Sequence, residues 1–200
     1  MLSKRFLRAG IGGLVLCLAV SLCGFYGRCE DLRGDVVRLH ILANSDSDED
    51  QALKLAVRDA VVEAAAGWLD GAENANEALA LAEARLPELQ AVAQRTVADA
   101  GYDYAVDASL CRMYFTTRQY DAATLPAGTY DAVRFTIGSG EGKNWWCVVY
   151  PPLCAGAAME SDAALDMLDS AQADLVGGGQ RYIVRFKIVE WWENLMNFLR

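Results

Sequence analysis

Hydrophobic and polar positions alternate in several short runs of the chain, and alternation is typical of β-strands. In the first run, Val37, Leu39 and Ile41 share one side, while Arg38 and His40 occupy the other. The predicted strands cover residues 36–43, one or two segments within 102–116, 130–137, 145–150 and 182–188.

Two longer stretches instead repeat apolar residues at three- and four-residue spacing, which predicts amphipathic helices. The first begins after Ser47, an expected N-cap, and runs to about Trp68. The second begins near Asn74 and ends at Gly101, with Pro87 expected to kink or restart it. Weaker helical patterns cover residues 161–175 and 189–200.

The order of these elements predicts an α+β fold. We expect a mostly antiparallel sheet, with an αα-hairpin and further helices on one face, preceded by an N-terminal hydrophobic export or anchor helix. Residues 1–30 would be the export or anchor segment, and 31–200 a single signalling domain in which 186–200 form a strand/helix tail. The tail is rich in aromatic residues and would pack on the domain's own sheet, on a membrane or on a partner.

The first thirty residues have the character of an export signal. Lys4, Arg5 and Arg8 precede an uncharged, mostly apolar stretch at 9–27. Its length lies between that of a signal-peptide core and that of a spanning helix. Cleavage as a signal peptide and retention as a membrane anchor therefore both stay open. In either case the basic flank places the bulk of the chain outside the cytoplasm.

The composition narrows the classes of partner. The chain has 18 Lys and Arg residues against 27 Asp and Glu residues, a formal net charge of −9. Nucleic-acid binding requires clustered cations that neutralise phosphates, so this charge argues against it. It also argues against electrostatic docking on anionic lipid.

Export permits disulfide bonds. Cys147 and Cys154 lie close in sequence on either side of the Pro151-Pro152 break, which is compatible with a bridge between them. The alternative is that both are small buried hydrophobic residues. Zinc is disfavoured, because no C-x2-C motif is present and the single histidine is more than a hundred residues away.

No cofactor or metal is predicted from the motifs. Asp46, Asp48 and Asp50 match the opening of a calcium loop, but Gln51 and Val57 replace its glycine and its bidentate glutamate. These acids are better explained by capping of the helix that follows them.

A phosphate loop fails on spacing, since Ile137 replaces the first glycine and Asn144 replaces the Ser or Thr that binds magnesium. His40, Ser45 and Asp46 could suggest a hydrolase triad, but there is no G-x-S-x-G elbow. We therefore predict no catalytic residues.

The remaining polar and aromatic clusters suggest recognition of a partner. One group follows the end of the first strand and the other follows a glycine-rich bend at 138–142, and both have the composition of interface centres. Alternatively, one tryptophan of the pair packs the core, and the residues after the strand merely close a turn. The predicted partner-binding residues are Arg38, His40, Asn44, Ser45, Asp46, Asn144, Trp145 and Trp146.

Three sequence blocks carry a resemblance to a known family. The segment LPAGTY is followed by GEGKNWWC and PPLC, and RLHILANSDSDEDQALKLAVRD precedes them in the N-terminal half. Together these blocks resemble the stage II sporulation protein R family over roughly residues 36–154.

The resemblance implies a non-enzymatic signal made in the forespore and exported to the intermembrane space, secreted or held by its N-terminal helix. Its implied partner is a membrane-embedded aspartic protease that cleaves a mother-cell sigma-factor precursor. An exported cell-envelope hydrolase is the alternative function, and a purely structural envelope protein is a third.

Overall fold

The computed structural model describes residues 2–69, 71–120, 124–151, 168–177 and 179–199. Within them lie five helices and six strands. In chain order they are α1 (Leu2–Gly34), β1 (Val37–Leu42), α2 (Asp48–Leu69), α3 (Ala75–Asp99), β2 (Val106–Phe115), β3 (Arg118–Gln119), β4 (Thr124–Leu125), β5 (Gly128–Ile137), β6 (Asn144–Tyr150), α4 (Ser170–Gly177) and α5 (Gly179–Leu199).

The main sheet has the strand order β2-β5-β1-β6. β1 runs parallel to β5, whereas the β2–β5 and β1–β6 pairs are antiparallel. β3 and β4 form a separate two-stranded ribbon. The predicted α+β class with a mostly antiparallel sheet is therefore confirmed.

One face of the sheet is covered by the α2–α3 hairpin, as the periodicity predicts. Val37, Leu39 and Ile41 of β1 lie in this core together with buried residues such as Val57 of α2 and Ala93 of α3. The caps expected from the sequence are present, since the Ser47 hydroxyl accepts from the Asp50 N–H and the Asn74 side chain accepts from the Glu77 N–H. α3 continues through Pro87 as one helix.

The sequence predicted the further helices on the same face as the α2–α3 hairpin. In the structure, α1, α4 and α5 lie on the opposite face of the sheet. A second core joins α1, α4 and α5 to the other side of β2, β5 and β6. A second buried face was not predicted because Arg38 and His40 lie on it. Their polarity indicated a solvent-exposed face of β1, although both residues are buried.

The strand predicted at 182–188 is wrong, because these residues belong to α5. Tyr182, Phe186 and Val189 follow the spacing of one helical face and pack in the second core. The β-branched residues Ile183, Val184 and Ile188 favoured a strand, and a short apolar run is compatible with both a strand and a helix. The helical tail expected after residue 189 is present as the second half of the same helix.

α1 has two different halves. Its first half is exposed, including Ile11, Leu14 and Leu18, while Phe25 and Leu32 are buried in the second core. Within the described residues, the span Arg8–Gly34 is long and apolar enough to cross a membrane, a test that an N-terminal signal sequence also passes.

Candidate functional site

The two groups of predicted partner-binding residues meet at one end of the sheet. β1 and β5 are parallel, so the turn after β1 and the bend at 138–143 after β5 leave the sheet at the same edge. Leu42, the last residue of β1, is also paired with Asn144, the first residue of β6. The fold thus brings together segments that are about a hundred residues apart in sequence.

Asp50 organises the turn after β1. Its carboxylate accepts hydrogen bonds from the Asn44 amide at 2.9 Å and from the Ser45 hydroxyl at 2.6 Å. The Ser45 carbonyl accepts from the Gln51 side chain at 2.8 Å. These bonds tie the turn to the first turn of α2.

The same turn holds the bend at 138–143. The Asn44 side-chain oxygen accepts from the Ser139 N–H at 3.0 Å, and the Ser139 hydroxyl donates to the Asn44 carbonyl at 2.8 Å. The Asp46 carboxylate accepts from the Lys143 N–H at 2.7 Å. Asn44, Ser45 and Asp46 therefore have defined structural roles in joining the two segments.

Glycine is required in this bend for two reasons. Gly138 and Gly140 have φ values of 58° and 66°, which side chains with a Cβ rarely adopt. Gly142 lies so close to the first segment that a Cβ would overlap the Ser45 carbonyl and lie 2.9 Å from the Ala43 Cβ. The glycine spacing thus reflects backbone contact rather than phosphate binding.

Asp50 is only 3% exposed, and the hydrogen bonds from Ser45 and Asn44 lower the pKa of its carboxyl group. Because the folded-state pKa is depressed, this carboxylate stabilises the fold above its unfolded pKa. That stabilisation is lost as the pH falls through the folded pKa.

Replacing Asp50 with asparagine should therefore reduce stability at neutral pH by roughly 1.5–3 kcal/mol, the typical contribution of hydrogen bonds to a charged group. It should also flatten the acid limb of the stability curve. Urea unfolding at neutral pH and in steps down through the carboxyl range measures both effects. Exposed Asp48 offers the control, since Asp48→Asn should change the free energy much less; equal losses in the two variants would contradict this account.

His40 and Trp146 form an aromatic pair on the second face of the sheet. Their ring centroids lie 4.7 Å apart, and Phe115 completes the cluster with a centroid 4.7 Å from that of Trp146. The pKa of His40 is lowered to about 4, chiefly by burial; the Asn144 side chain opposes the shift, and the charge of Arg134 adds to it. His40 is therefore a neutral, packed ring at neutral pH.

Arg38 lies two residues before His40 on the same face of β1 and is fully buried. Its guanidinium donates to the Cys147 carbonyl at 2.9 Å and to the Tyr120 hydroxyl at 2.7 Å, and its Cζ lies 4.3 Å from the Phe115 ring centroid. Burial lowers the pKa of Arg38. Arg38 thus supports the aromatic cluster from within rather than presenting itself to a partner.

Trp145 lies on the opposite face from Trp146, as alternation requires. It packs against the first core, with the Arg58 guanidinium 4.5 Å from its ring centroid. Both tryptophans are half-buried, so neither is a purely internal residue.

The structure therefore divides the eight predicted residues. Asp46 and Asn144 are exposed, Asn44, Ser45, Trp145 and Trp146 are half-buried, and Arg38 and His40 are buried.

Sequence reasoning missed Asp50, Arg118, Tyr120 and Arg134 as neighbours of the site. Among these four, only Asp50 could have been recognised from the sequence, because it lies three residues after a capping serine. The other three approach the site only through tertiary contacts. Partner binding by the predicted residues stays a prediction.

The arrangement has no hydrolase geometry in the described part of the chain. The Ser45 hydroxyl donates to Asp50, whereas His40 packs against aromatic rings. Across the described ranges, no group of three or more His, Cys, Asp or Glu side chains could hold a metal ion. Cys147 is buried, but Cys154 lies outside the described residues, so the pairing of these two cysteines stays a prediction.

The model of the family described as stage II sporulation protein R matches residues 33–160, which include both segments at this edge of the sheet. The chain is 42% identical over 118 residues to stage II sporulation protein R of Bacillus subtilis (strain 168). This match covers 59% of the chain and 53% of the relative, so the chain spans about half the length of the curated relative it matches. No solved structure matches.

Proposed function

Because this chain belongs to the stage II sporulation protein R family, we propose that it is an exported signalling protein of endospore formation. In this proposal it activates a membrane-embedded aspartic protease, which then cleaves a mother-cell sigma-factor precursor. The chain would leave the forespore and act in the intermembrane space, held there by α1 or released from it.

One observation carries the proposal beyond the family. The family match includes both segments at the end of the sheet, and internal hydrogen bonds lock them into one rigid edge. That edge presents Asp46 and Asn144 to solvent with Trp146 beside them. A rigid polar edge around an aromatic residue suits contact with a protein, because little side-chain entropy is lost on binding.

Activation by binding also has a thermodynamic requirement. The chain must bind the active form of the protease more tightly than its resting form, since a ligand shifts an equilibrium only by its differential affinity. We place this differential contact at the edge formed by Asp46, Asn144 and Trp146.

Co-expression in a non-sporulating host tests the proposal. The protease and the sigma-factor precursor are expressed with and without the full chain, and precursor cleavage is followed by immunoblotting. We expect cleavage only when the chain is present. A protease whose catalytic aspartates are replaced by asparagine is the control; cleavage that persists with that protease, or that needs no chain, would refute the proposal.

The exported hydrolase has no geometric support in the described residues, because its candidate groups already serve the turn and the aromatic cluster. We therefore propose no catalytic role. Incubating the purified chain with peptidoglycan and with casein should give no turnover, and turnover that disappears in Asp46→Asn would favour the enzyme instead.

We also propose a disulfide between Cys147 and Cys154. The export route permits it, and the two cysteines bracket the end of β6. Thiol alkylation followed by mass spectrometry of the exported chain should label both cysteines only after reduction. Labelling of both without reductant would show that they are free thiols.

A further inference from the structure

A row of four side chains crosses the second face of the sheet next to the proposed contact edge. Ser109 pairs with Arg134, Arg134 pairs with His40, and His40 pairs with Trp146. Directly paired residues present their side chains on the same face, so these four residues are neighbours there. We call them the Trp146 row.

The row contains a hydrogen-bonding group without a partner. The Nε of Arg134 is buried and makes no hydrogen bond, although the Arg134 side chain as a whole is only half-buried. Most buried polar atoms in folded proteins are paired, so such a group requires an explanation. One explanation is that the charge of this guanidinium is neutralised by another molecule, which would contact its terminal nitrogens because the Nε itself is covered.

The row is also cationic within a strongly acidic chain. Arg134 is half-buried, and exposed Arg118 lies over the Trp146 ring with its Cζ 5.3 Å from the centroid. Within the described part of the chain, neither arginine forms an ion pair, whereas Arg112 on the same strand as Ser109 is paired with Asp131. Arg118 lies over Trp146 and Arg134 pairs with His40, so two arginines without carboxylate partners flank the His40–Trp146 pair and can attract an anion there.

We propose that the Trp146 row, together with Arg118, binds an acidic segment of the partner protein. A carboxylate would accept from the terminal guanidinium nitrogens of Arg134, and the adjoining apolar part of the segment would pack on Trp146. The half-buried position of Arg134 favours a side-chain carboxylate, which can reach between neighbouring side chains, over a flat layer of lipid headgroups. This inference rests on the proposed function and specifies what the partner presents.

Direct binding tests this inference without the protease. The full chain is reconstituted in phosphatidylcholine nanodiscs, and its tryptophan fluorescence is titrated with a glutamate octamer, with a glutamine octamer as the neutral probe. The variants are Arg134→Gln and Arg118→Glu. The control is Arg95→Glu, which makes the same charge change as Arg118→Glu at an exposed position of α3, on the other face of the sheet.

The glutamate octamer should bind wild type and Arg95→Glu equally well, and it should bind Arg134→Gln and Arg118→Glu about tenfold more weakly. The glutamine octamer should bind at least tenfold more weakly than the glutamate octamer to wild type. Thermal melts check that Arg134→Gln is folded. If that variant is unfolded, Arg118→Glu still tests octamer binding, because Arg118 is exposed and its replacement should not disturb the fold. Equal binding by wild type and Arg118→Glu would overturn the inference, as would displacement of the octamer by an equal charge concentration of inorganic phosphate.

The same variants in the co-expression assay separate the two proposals. Precursor cleavage with wild type and with Arg118→Glu alike would leave the signalling function standing and refute this surface. Selective binding of the glutamate octamer without any precursor cleavage by wild type would support the surface and refute the proposed activity.

Discussion

Replacing Gly142 with alanine should lower the free energy of unfolding by about 3 kcal/mol, the upper range for overpacking at a site that cannot relax easily. The added Cβ would overlap the Ser45 carbonyl, which is backbone and cannot rotate away. Relief requires the bend to move, and moving it breaks the bonds from the Gly142 N–H to the Ala43 carbonyl and from the Glu141 N–H to the Asn44 carbonyl. Urea unfolding followed by tryptophan fluorescence measures the loss.

Gly67→Ala is the matched control. Gly67 lies on an exposed position of α2 with no atom within 4 Å of an added Cβ, so the same substitution should stabilise the chain by up to about 1 kcal/mol through helix propensity. The Gly142 variant should also lose precursor cleavage in the co-expression assay, because the proposed contact edge is displaced. A Gly142 variant as stable as wild type would mean that the two segments are not in close contact.

The hairpin side of the fold was predictable because its signals are local. Ser47 and Asn74 mark helix starts, and the alternation of Val37, Leu39 and Ile41 marks a strand with one apolar face. The other face was not predictable, since it is closed by α1, whose sequence indicates an export or anchor segment, and by α5, whose first half has the pattern of a strand. Arg38 shows the difficulty most clearly: an arginine in an alternating strand indicates a solvent face, and only the aromatic rings around it show otherwise.

The site was predictable in outline. The pattern identified Asn44 and Asp46 as residues after a strand end and Asn144 as a residue after a glycine-rich bend, and the parallel pairing of β1 with β5 explains why they meet. It did not reveal Arg134, because an isolated arginine in a strand carries no signal of its own. Its significance arises only from the cross-strand register that places it beside His40.

The N-terminal helix raises the question of where an export signal could be cleaved. Phe25 is fully buried, with its ring 5.6 Å from that of Tyr182 and 5.5 Å from that of Phe186. The Tyr26 hydroxyl donates to Glu193 at 2.8 Å. The inner end of α1 is thus part of the second core, and cleavage near residue 30 would remove Phe25 from it.

Phe25→Ala should therefore destabilise the full chain by about 3–5 kcal/mol, the usual cost of removing a buried phenylalanine ring. Phe6→Ala provides the matched control in the same helix, because Phe6 is 71% exposed and touches no part of the second core. Urea unfolding in a mild detergent, monitored by tryptophan fluorescence, compares the two variants directly. Equal stabilities would show that α1 is dispensable to the domain and that cleavage near residue 30 leaves the fold intact. The expected difference instead would show that the inner end of α1 stabilises the folded chain, so that a chain cleaved after Phe25 would lose this contribution.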